Sequence, residues 1–266
     1  MFELAALEKS LSGTLYAGKL NFHLTTGSTN SDAMEAARAG APHGSVFFAD
    51  EQTAGRGRGD HAWHSATGQG LYVSVLLRFP LPASRLPLLP LAGGLAAAQA
   101  VRIASGLVVD IRWPNDLLLG PRKAGGILAE AQTDGGFLVF AVLGIGINVH
   151  QRNFDPALST QGTSLDLESG RNIDRQQLLI ALLASLEAET RALMDPEAGQ
   201  AILARLESAS TWFRGREVEV HGPQACVGIT DGVDEHGFLR VRTCNGLVTV
   251  HTGGIRSATG SVRPVY

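Results

Sequence analysis

Leu4, Leu7, Leu11 and Leu15 recur at three- and four-residue steps and predict a short amphipathic helix over residues 2–12. Leu20, Phe22 and Leu24 alternate with polar positions and predict a strand. Helical composition follows from Ser31 to Ala39 and stops at Gly40, which leaves Ser28, Thr29 and Asn30 at a strand-to-helix junction. Val46–Ala49 and Leu71–Phe79 are apolar runs of the kind that central strands carry. Ser84–Ser105 reads as a helix with its prolines in the first turns and Gly106 as its stop. Val108–Trp113 predicts a strand ended by Pro114, because proline cannot continue a central ladder. Leu117–Leu119, a Gly120-Pro121 turn and Ala124–Ala131 predict a hairpin. Phe137–Leu143 predicts a further strand, running into Gly144-Ile145-Gly146-Ile147-Asn148. Alternating glycine there marks close backbone approach or a ligand wall. Asp174 caps a long helix, Arg175–Met194, then Pro196 breaks it and a second helix covers 197–209. From Glu217 the period changes to two. Val218/Val220, Val227/Ile229, Leu239/Val241 and Val248/Val250 form short alternating stretches between glycine turns. The pattern therefore predicts an α+β domain over residues 1–213 and a small all-β unit over 214–266.

Composition narrows the function classes. The chain has 266 residues, 44% of them hydrophobic and 18% charged, as expected of a globular protein with a sizeable core. The net charge of −3 supplies no global field for nucleic acid or an anionic membrane, so any anion site must be local; neither DNA nor membrane is an expected partner. Leu86–Ala104 is the most apolar stretch, and its prolines, glycines and Arg102 make it a buried helix sooner than a membrane span. Met1-Phe2-Glu3-Leu4 lacks the basic and apolar parts of a signal peptide. Cys226 and Cys244 form neither a metal-ligand spacing nor a disulfide framework, and a cytoplasmic protein is the expectation.

The candidate chemistry centres on Gly55-Arg56-Gly57-Arg58-Gly59-Asp60-His61-Ala62-Trp63. Glycine lets a backbone approach a ligand closely, and arginine offers a planar charged fork suited to carboxylate and phosphate. Such a loop should be mobile until an anion orders it. Each remaining stretch is ordinary when taken alone. Ser28-Thr29-Asn30 suits a helix cap as well as a polar ligand head. Arg112-Trp113-Pro114-Asn115-Asp116 suits a turn, and Lys123 a solvated lysine.

The combination is more specific. The glycine-arginine loop with its trailing tryptophan, Arg112-Trp113-Pro114-Asn115-Asp116, and Arg122-Lys123-Ala124-Gly125-Gly126-Ile127-Leu128 occur in this order, and the chain resembles the biotin protein ligases. Ser28-Thr29-Asn30, Gln52 and Gly144-Ile145-Gly146-Ile147-Asn148 add to the match. The resemblance implies a mixed sheet with flanking helices like class II aminoacyl-tRNA synthetase cores, then an SH3-like barrel. It implies ATP and biotin as substrates, with Mg²⁺ on the phosphates, and a biotin carboxyl carrier domain of acetyl-CoA carboxylase as acceptor. By resemblance, Ser28, Thr29, Asn30 and Gln52 lie along biotin, while Arg56, Gly57 and Arg58 fold over its carboxylate and the adenylate phosphate. Lys123 sits between carboxylate and α-phosphate, Trp63 supports the adenine region or the loop, and Asn148 contacts the nucleotide. Asn115 and Asp116 meet the phosphates, the metal or the incoming lysine, with Asp116 the one candidate metal contact. Lys123, Arg58 and Asp116 are the catalytic candidates.

Three stretches depart from the family pattern: Gly27 replaces an aspartate, Gly59-Asp60-His61-Ala62 replaces a more basic run, and Arg112 replaces a lysine. Too few residues precede the first strand for a winged-helix repressor domain, so a monofunctional ligase is expected. Relatives dimerise through sheet edges, and a homodimer is compatible with the resemblance. Two other readings compete. A lipoate or octanoate ligase would carry an Arg-Arg-x-x-Gly-Gly-Gly pattern, and a non-catalytic biotin sensor could dispense with Arg56, Arg58 and Lys123.

Overall fold

The computed structural model describes residues 2–59 and 61–258; Asp60 of the loop and the end of the predicted 214–266 unit lie outside the described residues. The chain runs α1 (Leu4–Ser10), β1 (Leu20–Thr26), α2 (Thr29–Arg38), β2 (Val46–Gln52), β3 (Gly70–Leu77), α3 (Leu88–Ser105), β4 (Asp110–Arg112), β5 (Asp116–Leu119), β6 (Arg122–Asp134) and β7 (Phe137–Asn148). It continues through α4 (Leu165–Ser169), α5 (Arg175–Met194) and α6 (Pro196–Ala209) to β8 (Arg214–His221), β9 (Cys226–Val233), β10 (Leu239–Thr243), β11 (Gly246–Val250) and β12 (Gly254–Ser257).

The first seven strands form one mixed sheet in the order β1-β2-β3-β7-β6-β5-β4. The β1–β2 pair is parallel and the others are antiparallel. Strand β3 is buried at every position, which explains its unbroken apolar run. Side chains alternate between two covered faces. Phe47 and Leu76 pack under α2 with Ala33, Ala37 and Val142, whereas Val46, Phe48 and Val75 join the main core. That core is closed by α3 and α5. Helix α3 has a mean hydropathy of 1.3 over Leu88–Ser105 and two-thirds of it is buried, as expected of a core helix that is apolar all round. Its buried Leu88, Leu89, Leu91 and Leu95 each stabilise the fold by about 1.5–3 kcal/mol.

Several boundaries differ from expectation for local reasons. The Ser84–Ser105 helix divides into a 3₁₀ turn, Ala83–Arg85, and α3 proper, with Gly106 left-handed at its end. The strand before Pro114 shrinks to Asp110–Arg112, and the Trp113–Pro114 peptide is cis. Asp174 caps α5, accepting from the N–H groups of Gln176 and Gln177, as its position predicts. Strand β7 does not end at Leu143 but carries the Gly-Ile alternation to Asn148.

The C-terminal five strands form an antiparallel sheet, β11-β10-β9-β8-β12, consistent with a small barrel. Its valines Val218, Val220, Val241 and Val250 join the main core. The alternation on β9 faces the other way. Val227 and Ile229 are exposed, and Thr230 is buried opposite Val241. The register shift between β9 and β10 sets the face, and a period-two pattern cannot say which face is inward.

Candidate active site

The residues singled out from the sequence all line one cavity of about 780 Å³, within the range of small-molecule sites. Its floor is the first half of β6 and the end of β7. Its walls are the β1–α2 junction, the glycine loop, the turn after Trp113, the segment 149–163 and two loops of the barrel.

The junction is held by side chains. Ser28 takes the N-cap position of α2, but its hydroxyl accepts no bond from the helix, contrary to a capping role. Gln52 at the end of β2 does that work: its Oε1 accepts from Thr29 N at 2.9 Å and from Thr29 Oγ1 at 3.1 Å. Gln52 Nε2 donates to Ser65 Oγ at 2.7 Å. Thr29 Oγ1 lies 2.8 Å from Ser74 Oγ, which donates to Asn30 Oδ1 at 2.6 Å. Asn30 Nδ2 completes the run by donating to Glu130 Oε2 at 2.8 Å. A buried polar network with its partners satisfied fixes side-chain orientation. Ser28, Thr29 and Asn30 are all buried beneath it.

Close packing explains the glycines of β7. A Cβ on Gly144 would lie 2.0 Å from Asn30 Oδ1, and one on Gly146 would lie 2.6 Å from Trp63 Nε1. The Gly-Ile alternation thus makes room for one polar side chain and one indole on the cavity side. Ile145 and Ile147 bury themselves on the other.

The glycine loop folds as a hairpin. Trp63 N donates to Gly55 O at 2.8 Å and Gly57 N to His61 O at 2.7 Å. Its arginines diverge. Arg56 Nη2 donates to Glu130 Oε2 at 2.6 Å, and Arg58 bonds the carbonyl of Gly253 and, at 3.0 Å, the hydroxyl of Thr252 in the barrel. The structure therefore brings Arg56, Gly57 and Arg58 to one cavity but does not aim the two guanidiniums at one point. Burial pulls the Arg58 pKa down, partly offset by Asp116, and the group stays cationic at neutral pH.

Lys123 is not a solvated lysine. Its ammonium lies 2.5 Å from Asp116 Oδ1 and 5.6 Å from the centre of the Trp63 ring. Arg112 grips the other Asp116 oxygen through Nε at 3.1 Å and Nη2 at 2.6 Å. Burial pushes the Asp116 carboxyl up, but Lys123 and Arg112 outweigh it and hold its pKa below the usual value. Asn115 Nδ2 donates to Ile127 O at 2.8 Å, and Asn148 Nδ2 to Thr163 O at 3.0 Å, so both amides also tie the cavity wall together. The Trp63 Nε1 donor is buried with no partner among the described residues.

The electrostatic balance is one-sided. Arg56, Arg58, Arg112, Lys123 and Arg256 line the cavity against the single carboxylate of Asp116, counting described residues only. A protein of net charge −3 thus holds a locally positive site. Among the described residues no group of three His, Cys, Asp or Glu could hold a metal ion, and Asp116, the one candidate metal contact, is engaged by Arg112 and Lys123. The sequence reading missed Glu130, segment 149–163, and the barrel residues His221, Pro223, Thr252 and Arg256. Of these, only the barrel turns were legible, and only as chain reversals.

Comparison with known proteins agrees with this geometry. A family model for the biotin/lipoate A/B protein ligases matches residues 25–148. The bifunctional ligase/repressor BirA of Bacillus spizizenii is 35% identical over 86% of this chain and 70% of its own length. The biotin–[acetyl-CoA-carboxylase] ligase of Mycobacterium tuberculosis is 34% identical over 86% of this chain and 85% of its own. The solved biotin protein ligase of Aquifex aeolicus, in complex with biotin and ATP, superposes with a TM-score of 0.77 at 27% identity, covering 91% of this chain and 100% of that one. With the glycine-arginine hairpin, the Asp116–Lys123 pair and the mixed sheet beneath them, these matches place the chain in the biotin protein ligase family, and it is a ligase enzyme.

Proposed function

We propose that this enzyme activates biotin with ATP and passes it to a lysine of a biotin carboxyl carrier domain, as in acetyl-CoA carboxylase. A biotin carboxylate oxygen attacks the α-phosphorus, the bond to the bridging oxygen breaks, and pyrophosphate leaves. The acceptor amine then attacks the acyl carbon of biotinyl-5′-AMP, AMP leaves with its oxygen, and the amine loses a proton to solvent. The first step brings an anion to an anion, so it needs cations and N–H donors more than a nucleophile. The single observation that carries this reading is the cavity's lining, among the described residues, of five cationic side chains against one carboxylate.

In this reading Lys123 stabilises charge between carboxylate and α-phosphate, and Asp116, itself fixed by Arg112, holds its ammonium in place. Ser28, Thr29, Asn30 and Gln52 take the polar head of biotin, their orientation set by the junction network. Arg56, Gly57 and Arg58 close over the intermediate. Trp63, Asn115 and Asn148 face the nucleotide. Closure matters because the mixed anhydride hydrolyses in water. Magnesium enters as part of the MgATP substrate, consistent with its preference for phosphate oxygens and water over all-protein cages. Residues 1–213 carry the substrates, and the C-terminal unit that begins at 214 anchors the loop through Arg58, at Thr252 and Gly253.

The test is one tube with ATP, Mg²⁺, biotin and a carrier domain, read for pyrophosphate and for acceptor labelling in the same time course. Both are expected. Pyrophosphate without labelling would remove the acceptor from the proposal, and neither, from folded protein, would remove adenylation. The proposal is of a ligase that acts in the cytoplasm without repressing transcription; sequence-specific retardation of a biotin-operon operator in a gel would refute that part.

A further inference from the structure

Glu130 lies on β6 outside the cavity lining, yet it holds two groups that form the cavity. One oxygen, Oε2, accepts from Arg56 Nη2 at 2.6 Å and from Asn30 Nδ2 at 2.8 Å. The donors belong to different elements: Arg56 to the glycine hairpin and Asn30 to the first turn of α2. The Lys123 ammonium lies beside Gly126, and from Gly126 to Glu130 runs roughly 13 Å of extended strand, so Glu130 anchors Arg56 about four residues along β6 from the Lys123–Asp116 pair. Two residues further along the same arm, at the start of the turn, Arg58 ties the hairpin to the barrel. The Arg56–Glu130 pair is half open to solvent, with side-chain exposures of 43% and 27%, and is therefore breakable.

We propose that Glu130 is a positioning residue that latches the Gly55–Trp63 hairpin onto the sheet. Because one carboxylate oxygen serves both donors, closing the hairpin and orienting Asn30 for the polar head of biotin are a single event. Charge is required. A glutamine there retains one acceptor oxygen but places an NH₂ group beside two other donors and loses the charge-assisted bond. The kinetic half of the proposal rests on the adenylation reading, and the structural half does not.

The experiment compares wild type, Glu130→Gln and Glu130→Asp by amide hydrogen exchange over residues 55–63 in the full-length protein. Glu130→Gln is expected to exchange about two- to fivefold faster, the range an exposed ion pair can shift a loop equilibrium. Raising NaCl from about 0.05 to about 0.5 M is expected to speed wild type and Glu130→Asp toward that rate and to leave Glu130→Gln unmoved. In turnover, Glu130→Gln is expected to raise the KM for biotin and the share of biotinyl adenylate lost to solution by a similar factor, with kcat for pyrophosphate release little changed. Unaltered exchange in Glu130→Gln, or a salt response equal in all three proteins, overturns the latch. A changed exchange pattern in a protein whose wild type releases no pyrophosphate leaves the latch standing and removes adenylation instead.

Discussion

Replacing Gly144 with alanine tests the packing on which the proposed biotin pocket is built. The new Cβ would stand 2.0 Å from Asn30 Oδ1 and 2.8 Å from its Cγ, so the asparagine must move. It is buried and bonded at both ends, to Ser74 at 2.6 Å and to Glu130 at 2.8 Å. Moving it loses one neutral and one charge-assisted hydrogen bond, about 2–3 kcal/mol together. For a domain of this size that lowers the melting temperature by roughly 4–12 °C. If Asn30 also donates to biotin, affinity falls about tenfold. Gly126→Ala is the matched control on the facing strand, because its Cβ meets only ordinary contacts, Lys123 Cε at 3.6 Å and Asn115 O at 3.7 Å. The assays are thermal unfolding and calorimetric titration with biotin. Gly144→Ala melting and binding like Gly126→Ala would refute the assignment of Asn30 to the pocket.

Lys123→Ala is expected to abolish pyrophosphate release while leaving biotin binding measurable, and an unchanged rate would remove Lys123 from the chemistry. Arg58→Gly cuts the hairpin from Thr252 and Gly253 and is expected to release biotinyl adenylate early; retention equal to wild type in a trap assay would argue against the barrel anchor. Thr252→Val removes only the 3.0 Å hydroxyl contact and is expected to give about two- to threefold of the same leakage. Asp116 has a depressed pKa, so its stabilising contribution is whole above its ordinary value near 3.8 and is lost as the pH falls through the lower folded value. The melting temperature of Asp116→Asn should therefore depend less on pH below 4 than that of wild type, and parallel curves would contradict the ion-pair account.

Much of the site was legible in the chain because its chemistry is local. Glycine beside arginine, proline before Asn115-Asp116, and Lys123 at a strand start announce themselves in short windows, and long helices such as α3 and α5 declare themselves by period. Face and partner were not legible. The alternation of Val227 and Ile229 is the same whichever side is buried, and only the β9–β10 register turned it outward. Ser28 looks like a cap, yet Gln52, distant in sequence, satisfies the helix start. Arg56 and Arg58 are two residues apart, but one reaches Glu130 on β6 and the other the barrel loop at Thr252. Residue type and spacing pointed to this family and to a candidate anion site. Which carboxylate holds each cation was decided by strand order and by the docking of the barrel, because Coulombic pairing depends on separation in space and local sequence carries no record of it.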